Sequence, residues 1–297
     1  MYHIPVLLNE SIEGLNIHPG GIYVDVTFGS GGHSSKILEH LTTGRLIAFD
    51  RDQDADRNLI NDERFLFINQ NYRYLKNFLK FQGIFHIDGL LADLGISSWQ
   101  IDQHDRGFSI RLEGDLDMRM DRSQELTASQ IINTYSEEGL IQLFRQYGEI
   151  GNARRLAEEI ANERSIRIIR TTEDLRKIIL RTAPRGKENQ YLAKAFQAIR
   201  IEVNEELDSL KDLLKHTNEL LNPEGRIVVI AYHSLEDRLV KNYFRTGNFE
   251  GIPEKDFFGK QIMPLKPVNR KAIMPSASEQ QANPRSRSAK LRIAEKI

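Results

Sequence analysis

Residues 22–50 read Ile22-Tyr-Val-Asp-Val-Thr-Phe-Gly-Ser-Gly-Gly-His33 and, after a short segment, Gly44-Arg-Leu-Ile-Ala-Phe-Asp50. Two apolar runs flank a glycine cluster and a segment of helical character, 34–41, so the stretch predicts strand, glycine turn, helix and strand. Glycine can take positive φ and lets a ligand approach the backbone, and an acid about twenty residues further on can accept both hydroxyls of a ribose. A tight turn is the simpler alternative, but this context favours a nucleotide-like cofactor site.

The composition excludes several classes of protein. The chain has 297 residues, enough for one large domain or two modest ones, and no cysteine, which excludes disulfides, thiol nucleophiles and thiolate metal sites. Its eight histidines show no paired ligand spacing, so we predict no protein-held metal. We expect no signal peptide and no membrane-spanning segment, and therefore a cytoplasmic protein.

The charges are unevenly distributed along a chain whose net charge is only −1. Residues 145–194 hold twelve Lys or Arg against seven acids, and residues 260–297 hold nine against two. Such regions can make focused contacts with phosphates. For 145–194 a soluble mixed-charge helical surface is an equally good interpretation, whereas the imbalance in 260–297 favours a contact with RNA.

Strands alternate with helices in the first third of the chain, which predicts a parallel sheet with right-handed crossovers. The further predicted strands are 65–68, 87–93 and 226–232, and the predicted helices of this part are 6–15, 55–61, 74–81, 193–221 and 236–246. A proline-rich connection, 247–284, precedes a last strand, 288–295, which we expect to be antiparallel. Asp25, Asp50 and Asp93 end strands, and ligands bind at that carboxyl edge in open α/β sheets.

Between the predicted strand 87–93 and the predicted helix 193–221 the strand pattern stops. Residues 129–135, 137–147, 153–164 and 172–182 have the periodicity of amphipathic helices. We therefore predict an α/β protein with a Rossmann-like sheet, mostly parallel with one antiparallel strand, formed by 1–104 and 193–297. An all-helical domain, 105–192, is inserted into it.

Two features separate this pattern from that of nicotinamide enzymes. The glycine cluster lacks the strict spacing that seats a pyrophosphate, and Asp25 belongs to the first strand, four residues before the first glycine. The pattern resembles that of class I S-adenosylmethionine-dependent methyltransferases. Seven segments, in order, resemble one family, the MraW/RsmH ribosomal RNA methyltransferases: 24–33, 93–98, 106–109, 116–121, 196–201, 233–238 and 283–288.

The resemblance implies an activity and a cofactor site. The family methylates the exocyclic N4 amine of a cytidine in 16S small-subunit ribosomal RNA near the decoding centre. Its cofactor, S-adenosyl-L-methionine, would be bound by residues of the glycine turn and the strand ends: Gly31, Gly32, His33, Asp50, Tyr72, Asp93 and Gln100.

Further residues are candidates for chemistry or for RNA contact. The cytosine amine has a lone pair that is delocalised into the ring, and Asp93, or alternatively a backbone carbonyl of 94–97, can accept a hydrogen bond from it. His233 is a candidate base contact or proton shuttle, with a helix cap as the alternative, and Ser234 is predicted to cap the same helix. Trp99 can stack on the target base or pack against the insertion. Asn283, Arg285 and Arg287 suit phosphate oxygens, and the insertion is a second predicted RNA contact.

Other functions remain open at this point. A methyltransferase acting on a protein or a small amine and a cofactor-fold RNA-binding assembly factor without activity are the alternatives. No constellation for hydride transfer supports an oxidoreductase. A homodimer is compatible with the sequence, which leaves the oligomeric state and the need for an assembled small subunit open.

Overall fold

The computed structural model describes residues 5–297, apart from the side chain of Ser98. The chain divides into two compact units. One comprises the described residues up to Gly95 together with Leu207–Ile297, and the other comprises Ile96–Glu206. The second unit is longer at both ends than the insertion predicted over 105–192.

The first unit is built on one seven-stranded sheet of order β3-β2-β1-β4-β5-β7-β6. β1 to β5 pair in parallel, and β7 is antiparallel to both of its neighbours, β5 and β6. The predicted mostly parallel α/β sheet is therefore confirmed. The strands are β1 Ile22–Asp25, β2 Arg45–Asp50, β3 Phe65–Asn69, β4 Ile87–Asp93, β5 Leu221–Ala231, β6 Leu265–Pro267 and β7 Lys290–Lys296.

Helices precede the first strand and lie between the others in the chain, and several of them belong to the second unit. In chain order they are α1 Leu8–Leu15, α2 Gly32–His40, α3 Leu75–Phe81, α4 Ser98–Asp102, α5 Ala128–Thr134, α6 Glu137–Gln146, α7 Ala153–Ile166, α8 Thr172–Thr182, α9 Glu188–Asn204, α10 Glu206–Leu220, α11 Ser234–Thr246 and α12 Ala277–Ala282. In the described part of the chain, no helix is both long enough and apolar enough to span a bilayer.

Both faces of the sheet are buried. Tyr23 and Val24 are neighbours in β1 and are both fully buried, but they belong to different apolar clusters because successive side chains of a strand point to opposite faces. This explains why the central strands are almost continuously apolar and show no polar alternation.

The second unit has its own helical core, which includes Ile131, Phe144, Leu156 and Ile178, all fully inaccessible to solvent. Several of its helices, α5 and α8 among them, begin at side-chain caps that the sequence encodes. The hydroxyls of Thr127 and Thr171 each accept a hydrogen bond from the third backbone N–H of their helix, and the residue at that third position bonds back to the cap. Such capping boxes satisfy N–H groups that a helix start leaves without partners.

Two predicted helices differ from the observed ones. The predicted helix 193–221 is two helices, α9 and α10, because Glu205 takes a left-handed conformation with φ of 47° and ends α9. The predicted helix 55–61 is a 3₁₀ helix, Gln53–Asn58, which begins where the Asp52 carboxylate accepts a hydrogen bond from the Asp54 N–H. The predicted connection 247–284 contains β6 and α12.

Residues 222–225, within β5, interrupt the pairing of this strand with β4. The register moves from Leu221 opposite Ile87 to Arg226 opposite Gly89. Within this interruption Glu224 has φ of 67°, which is unfavourable for a residue with a Cβ atom.

Replacing Glu224 with glycine is expected to stabilise the protein by about 0.5–1 kcal/mol, because glycine has no steric penalty at positive φ. Urea denaturation would measure the change. The matched control is Glu158→Gly, an exposed position inside α7, which should cost about 1 kcal/mol. A loss of stability in the Glu224 variant would contradict the assignment of strain.

Candidate active site

Three carboxylates lie at the same edge of the sheet. Asp25, Asp50 and Asp93 are the last residues of β1, β2 and β4. The strand registers align them, because Asp25 lies opposite Ala48 on one side and Leu91 on the other. The structure therefore brings the three acids together at the carboxyl edge, as predicted.

The glycine turn occupies the space between β1 and α2. Gly29 and Gly31 have φ of 53° and 77°, the left-handed region that favours glycine. A Cβ atom on Gly31 would lie 3.0 Å from the Phe28 ring, and one on Gly32 would lie 2.2 Å from the Pro5 ring. Gly31 and Gly32 are thus required by the local packing, and the turn presents backbone rather than side chains.

Asp50 holds this turn in place. One of its carboxylate oxygens accepts a hydrogen bond from the Gly29 N–H at 2.8 Å, and the other accepts one from the Asp52 N–H at 2.9 Å. Burial raises the pKa of Asp50 to about 6, against the effect of these two hydrogen bonds. Since an ionised carboxylate offers about four acceptor positions, each oxygen can take a further donor.

Asp25 is almost completely buried, with 1% of its surface exposed. It accepts hydrogen bonds from the Ser34 hydroxyl at 2.7 Å and from the Thr27 N–H at 3.1 Å. Burial raises the pKa of Asp25 to about 6 despite these donors. An acid held in this way gains from a cation placed next to it.

Asp93 accepts a hydrogen bond from a residue that follows the neighbouring strand, β5. Tyr232 directly follows β5, and its hydroxyl donates a hydrogen bond to Asp93 Oδ1 at 2.7 Å. Burial raises the pKa of Asp93 to about 7, and the nearby charges of Asp25 and Glu236 add to the rise, whereas the Tyr232 hydrogen bond opposes it. Asp93 therefore changes its protonation near neutral pH.

His33 lies beside Asp93, with its Nδ1 atom 3.9 Å from Asp93 Oδ2. Its Nε2 atom is 3.2 Å from the Val6 carbonyl oxygen, which can only accept a hydrogen bond. Nε2 therefore carries a proton, and Nδ1 is the nitrogen that faces the carboxyl group. His33, Asp93 and Tyr232 therefore lie together at the sheet edge, where Tyr232 is hydrogen-bonded to Asp93 and His33 lies next to the other carboxylate oxygen.

His233 forms the N-terminal cap of α11. Its Nδ1 atom accepts a hydrogen bond from the Glu236 N–H at 3.4 Å, and its Nε2 atom lies 3.2 Å from Glu236 Oε1. The predicted capping role of Ser234 is wrong, because Ser234 is the first residue of the helix. Capping accounts for the position of His233, and a direct part in the chemistry stays a prediction.

The remaining predicted site residues lie in several parts of the chain. Tyr72 begins a 3₁₀ turn, Tyr72–Tyr74, and packs partly buried against the apolar cluster on one sheet face. Trp99 and Gln100 belong to the helical unit: Trp99 is 49% exposed, and Gln100 is buried in a capping box with Ser97. Their predicted contacts with cofactor or base stay predictions, as does the choice between stacking and packing for Trp99.

The basic motif near the C-terminus is a 3₁₀ helix, Pro284–Ser288. The Asn283 side chain caps it by accepting a hydrogen bond from the Arg285 N–H at 3.2 Å. Arg285 and Arg287 are exposed, which is compatible with the predicted phosphate contact. In 145–194, by contrast, Arg167, Arg176 and Arg181 form ion pairs with acids of the same region, which supports the solvated-surface interpretation there.

Sequence reasoning missed Tyr232, Thr27 and Ser34. The Thr27 hydroxyl accepts a hydrogen bond from the Asp93 N–H at 2.7 Å, and the Tyr232 hydroxyl binds the Asp93 carboxylate. A signal was present for Tyr232, since it is the polar aromatic residue that ends the apolar run of β5. Nothing local in the sequence indicated its partner.

This strand order, with one reversed strand, a glycine turn after β1 and acids at the ends of β1, β2 and β4, defines a class I S-adenosylmethionine-dependent methyltransferase. The chain belongs to the MraW methylase family, whose model matches residues 1–297. Membership confirms the family, enzyme class and cofactor predicted from the sequence.

Relatives match along their whole lengths. The chain is 53% identical to the ribosomal RNA small subunit methyltransferase H of Phocaeicola vulgatus, covering 100% of this chain and 98% of the relative. It is 54% identical to the enzyme of the same name from Cytophaga hutchinsonii, covering 100% of both. Among solved structures, it is similar to an rRNA methylase from Streptococcus thermophilus, with a TM-score of 0.46, 12% identity and coverage of 100% and 99%.

Proposed function

We propose that this enzyme transfers a methyl group from S-adenosylmethionine to the exocyclic N4 amine of a cytidine in 16S small-subunit ribosomal RNA, in the cytoplasm. The full-length relatives bear the name of a small-subunit ribosomal RNA methyltransferase. The observation that carries the proposal is the cluster of Asp93, Tyr232 and His33, in which a carboxyl group with a pKa of about 7 lies at the ligand edge of the sheet.

The residues at this edge fit S-adenosylmethionine. The turn at Gly29–Gly31 offers backbone that a ligand can approach, and Asp50 has acceptor positions left for two ribose hydroxyls. Burial raises the pKa values of Asp25 and Asp93, and the ammonium and sulfonium charges of this cofactor would compensate the buried negative charge. When bound, the cofactor supplies an electrophilic methyl group.

The residues of the chain then have to align and activate the amine. Alignment of reacting groups can remove roughly 7–11 kcal/mol of a barrier. This is more than the barrier reduction that corresponds to the roughly 10²–10⁴-fold rate increase from one general base. Ionised Asp93 would accept a hydrogen bond from the cytosine amine, which localises the nitrogen lone pair, and would take up the proton that the amine releases. Tyr232 orients the carboxyl group through Oδ1 and leaves Oδ2 on the side of His33.

The target base has to leave its stack to reach this edge, which favours a single-stranded or loop substrate. A transfer assay with tritiated S-adenosylmethionine tests the function on small-subunit particles, deproteinised ribosomal RNA and ribosomal proteins in parallel. We expect label in N4-methylcytidine after nuclease digestion of the RNA. Label in protein alone would contradict the proposal, and cofactor binding without transfer to any substrate would favour an assembly factor.

The assay also addresses two open questions. Comparing particles with naked RNA shows whether an assembled subunit is needed, and sedimentation of the same preparation tests a homodimer.

A further inference from the structure

A tight hairpin follows α11 in the first unit. Residues 254–262, the FF hairpin, pair through the Ile262 N–H, which donates to the Glu254 carbonyl at 2.8 Å, and the Asp256 N–H, which donates to the Lys260 carbonyl at 2.8 Å. Gly259 closes the turn with φ of 80° and donates to the Asp256 carbonyl at 3.0 Å. A three-residue turn that ends in a left-handed glycine is a regular hairpin connection.

Two phenylalanines occupy the tip of the FF hairpin. Phe257 and Phe258 are 99% and 90% exposed, and their rings meet edge to face with centroids 5.8 Å apart. Turn positions are normally filled by polar residues or glycine, and large aromatic side chains rarely remain in water. Neither ring contributes to the apolar clusters of the fold, so this exposure indicates a contact with something outside the chain.

The hairpin backbone is well supported. The Asp256 carboxylate accepts hydrogen bonds from the N–H groups of Phe258 and Lys260, both at 2.9 Å. The Gln261 side chain donates to the Arg245 carbonyl at the end of α11, at 3.0 Å. The aromatic tip is therefore presented from a helix end by specific hydrogen bonds.

A basic groove adjoins this attachment point. Lys241, Arg245 and Arg270 line a groove of about 400 Å³ whose apolar wall includes Phe244, Pro267 and Ile293. Within the described part of the chain none of the three cations is in an ion pair, whereas Arg292, which also lines the groove, is bound to Asp237 at 2.6 Å. We call these three residues the groove cations.

The local charge favours an anionic partner. Residues 241–271 hold seven Lys or Arg against three acids, Glu250, Glu254 and Asp256. One of those acids, Asp256, is already engaged by the backbone of the turn.

We propose that the FF hairpin and the groove cations together bind a single-stranded stretch of RNA, with phosphates in the groove and an unpaired base on the phenylalanine rings. Positive grooves that follow the backbone, combined with aromatic rings that stack on bases, are how proteins bind single strands. The inference rests on the proposed RNA substrate and adds a contact separate from the cofactor edge. It deepens that function by naming part of the surface that holds the RNA.

Two variants test it, Phe257→Ala/Phe258→Ala and Lys241→Gln/Arg245→Gln/Arg270→Gln. The control is Phe81→Ala/Phe85→Ala/Lys80→Gln, which removes two exposed rings, 84% and 60% accessible, and an exposed cation elsewhere on the same unit. Binding of a fluorescent single-stranded oligouridylate and of deproteinised small-subunit RNA is measured over a series of salt concentrations. Calorimetry with S-adenosylmethionine serves as the test of folding.

We expect the phenylalanine variant to bind both RNAs roughly 5- to 150-fold more weakly, the range that loss of one stacked base implies. The groove variant should lower the slope of log K against log salt by about 2, because each phosphate contact with a single strand contributes about 0.7. The control and the cofactor affinity of all variants should match the wild type.

The outcomes separate this inference from the proposed function. Wild-type methylation of ribosomal RNA, combined with unchanged RNA binding in both variants, would overturn the inference and leave the function intact. Absence of methylation and of RNA binding in the wild type would overturn both. If both variants lost binding to anionic phosphatidylserine vesicles and kept wild-type RNA binding, the surface would be assigned to membranes. That result would also overturn the inference.

Discussion

Asp93→Asn is expected to raise the free energy of unfolding at pH 8 by up to about 4 kcal/mol. The pKa of Asp93 is about 7 in the folded protein against a normal value of 3.8, and each unit corresponds to about 1.4 kcal/mol. Between pH 3.8 and 7 the folded protein keeps a proton on Asp93 that the unfolded chain has already lost. Wild-type stability therefore falls as the pH rises over this range. Asparagine resembles the protonated form, so the gain should shrink towards pH 5. Urea denaturation at pH 5, 6, 7 and 8 measures it.

The same variant is expected to lose roughly 10²–10⁴-fold in the rate of a single methyl-transfer turnover, the usual contribution of a general base. Asparagine can still accept the Tyr232 hydrogen bond, so the loss would report chemistry and not collapse of the site. Asp88→Asn is the matched control, because Asp88 lies at the other end of β4, where it accepts hydrogen bonds from the Ile22 N–H and the Asn222 side chain. We expect the control to keep the wild-type rate and to gain no stability.

A more stable variant with an unchanged rate would remove Asp93 from the mechanism and leave only a partly buried carboxyl group with a raised pKa. A less stable variant at pH 8 would show that the carboxylate is favourable in the fold. An unchanged rate would redirect the search for the acceptor to the backbone carbonyls of 94–97, which follow the end of β4.

The three acids at the sheet edge could be predicted because each ends a recognisable apolar run, and parallel strands place such ends together. The partner of Asp93 could not be predicted in the same way. It depends on the register of β4 against β5, with Asp93 opposite Ile230, which brings Tyr232 alongside although it lies 139 positions further along the sequence. Pairing of this kind is set by the packed sheet and leaves no local signal.

The division of the predicted helix 193–221 shows a different limit. Glu205 is a good helix former, and its neighbours have helical periodicity, yet it takes φ of 47° and separates α9 from α10. Glycine would have signalled this break. At the N-terminus of α11, serine is a common cap, but the histidine before it takes that position because its imidazole reaches the Glu236 N–H.

The C-terminal charges show what counting can and cannot indicate. The excess of basic residues in 260–297 was visible in the sequence, but Lys290 and Arg292 neutralise Asp237 and Lys296 bonds to Asn218. Others, such as Arg270, line the open groove. Only the three-dimensional arrangement distinguishes cations that support the fold from those available to RNA.

Asp50→Asn is expected to weaken binding of S-adenosylmethionine by about 100-fold or more. In the proposed site the variant would lose acceptor positions for two ribose hydroxyls, and hydrogen bonds to a charged group contribute about 1.5–3 kcal/mol each. The carboxylate now accepts hydrogen bonds from the backbone N–H groups of Gly29 and Asp52. In the variant the NH₂ group of asparagine, itself a donor, would face one of these two N–H groups. Calorimetry gives the dissociation constant.

Adenosine separates the role of Asp50 from those of the other acids, because it has the ribose but neither the ammonium nor the sulfonium group. Asp50→Asn should weaken the binding of adenosine by about the same factor as the binding of the whole cofactor. Asp93→Asn should leave adenosine binding unchanged. Wild-type affinity for adenosine should fall as pH falls through about 6, where Asp50 becomes protonated and loses acceptor positions. Asp54→Asn, which removes a carboxylate paired with Arg57 at 3.0 Å a few residues away, is the control and should bind normally. Equal adenosine affinity in the wild type and Asp50→Asn would show that the ribose is held elsewhere.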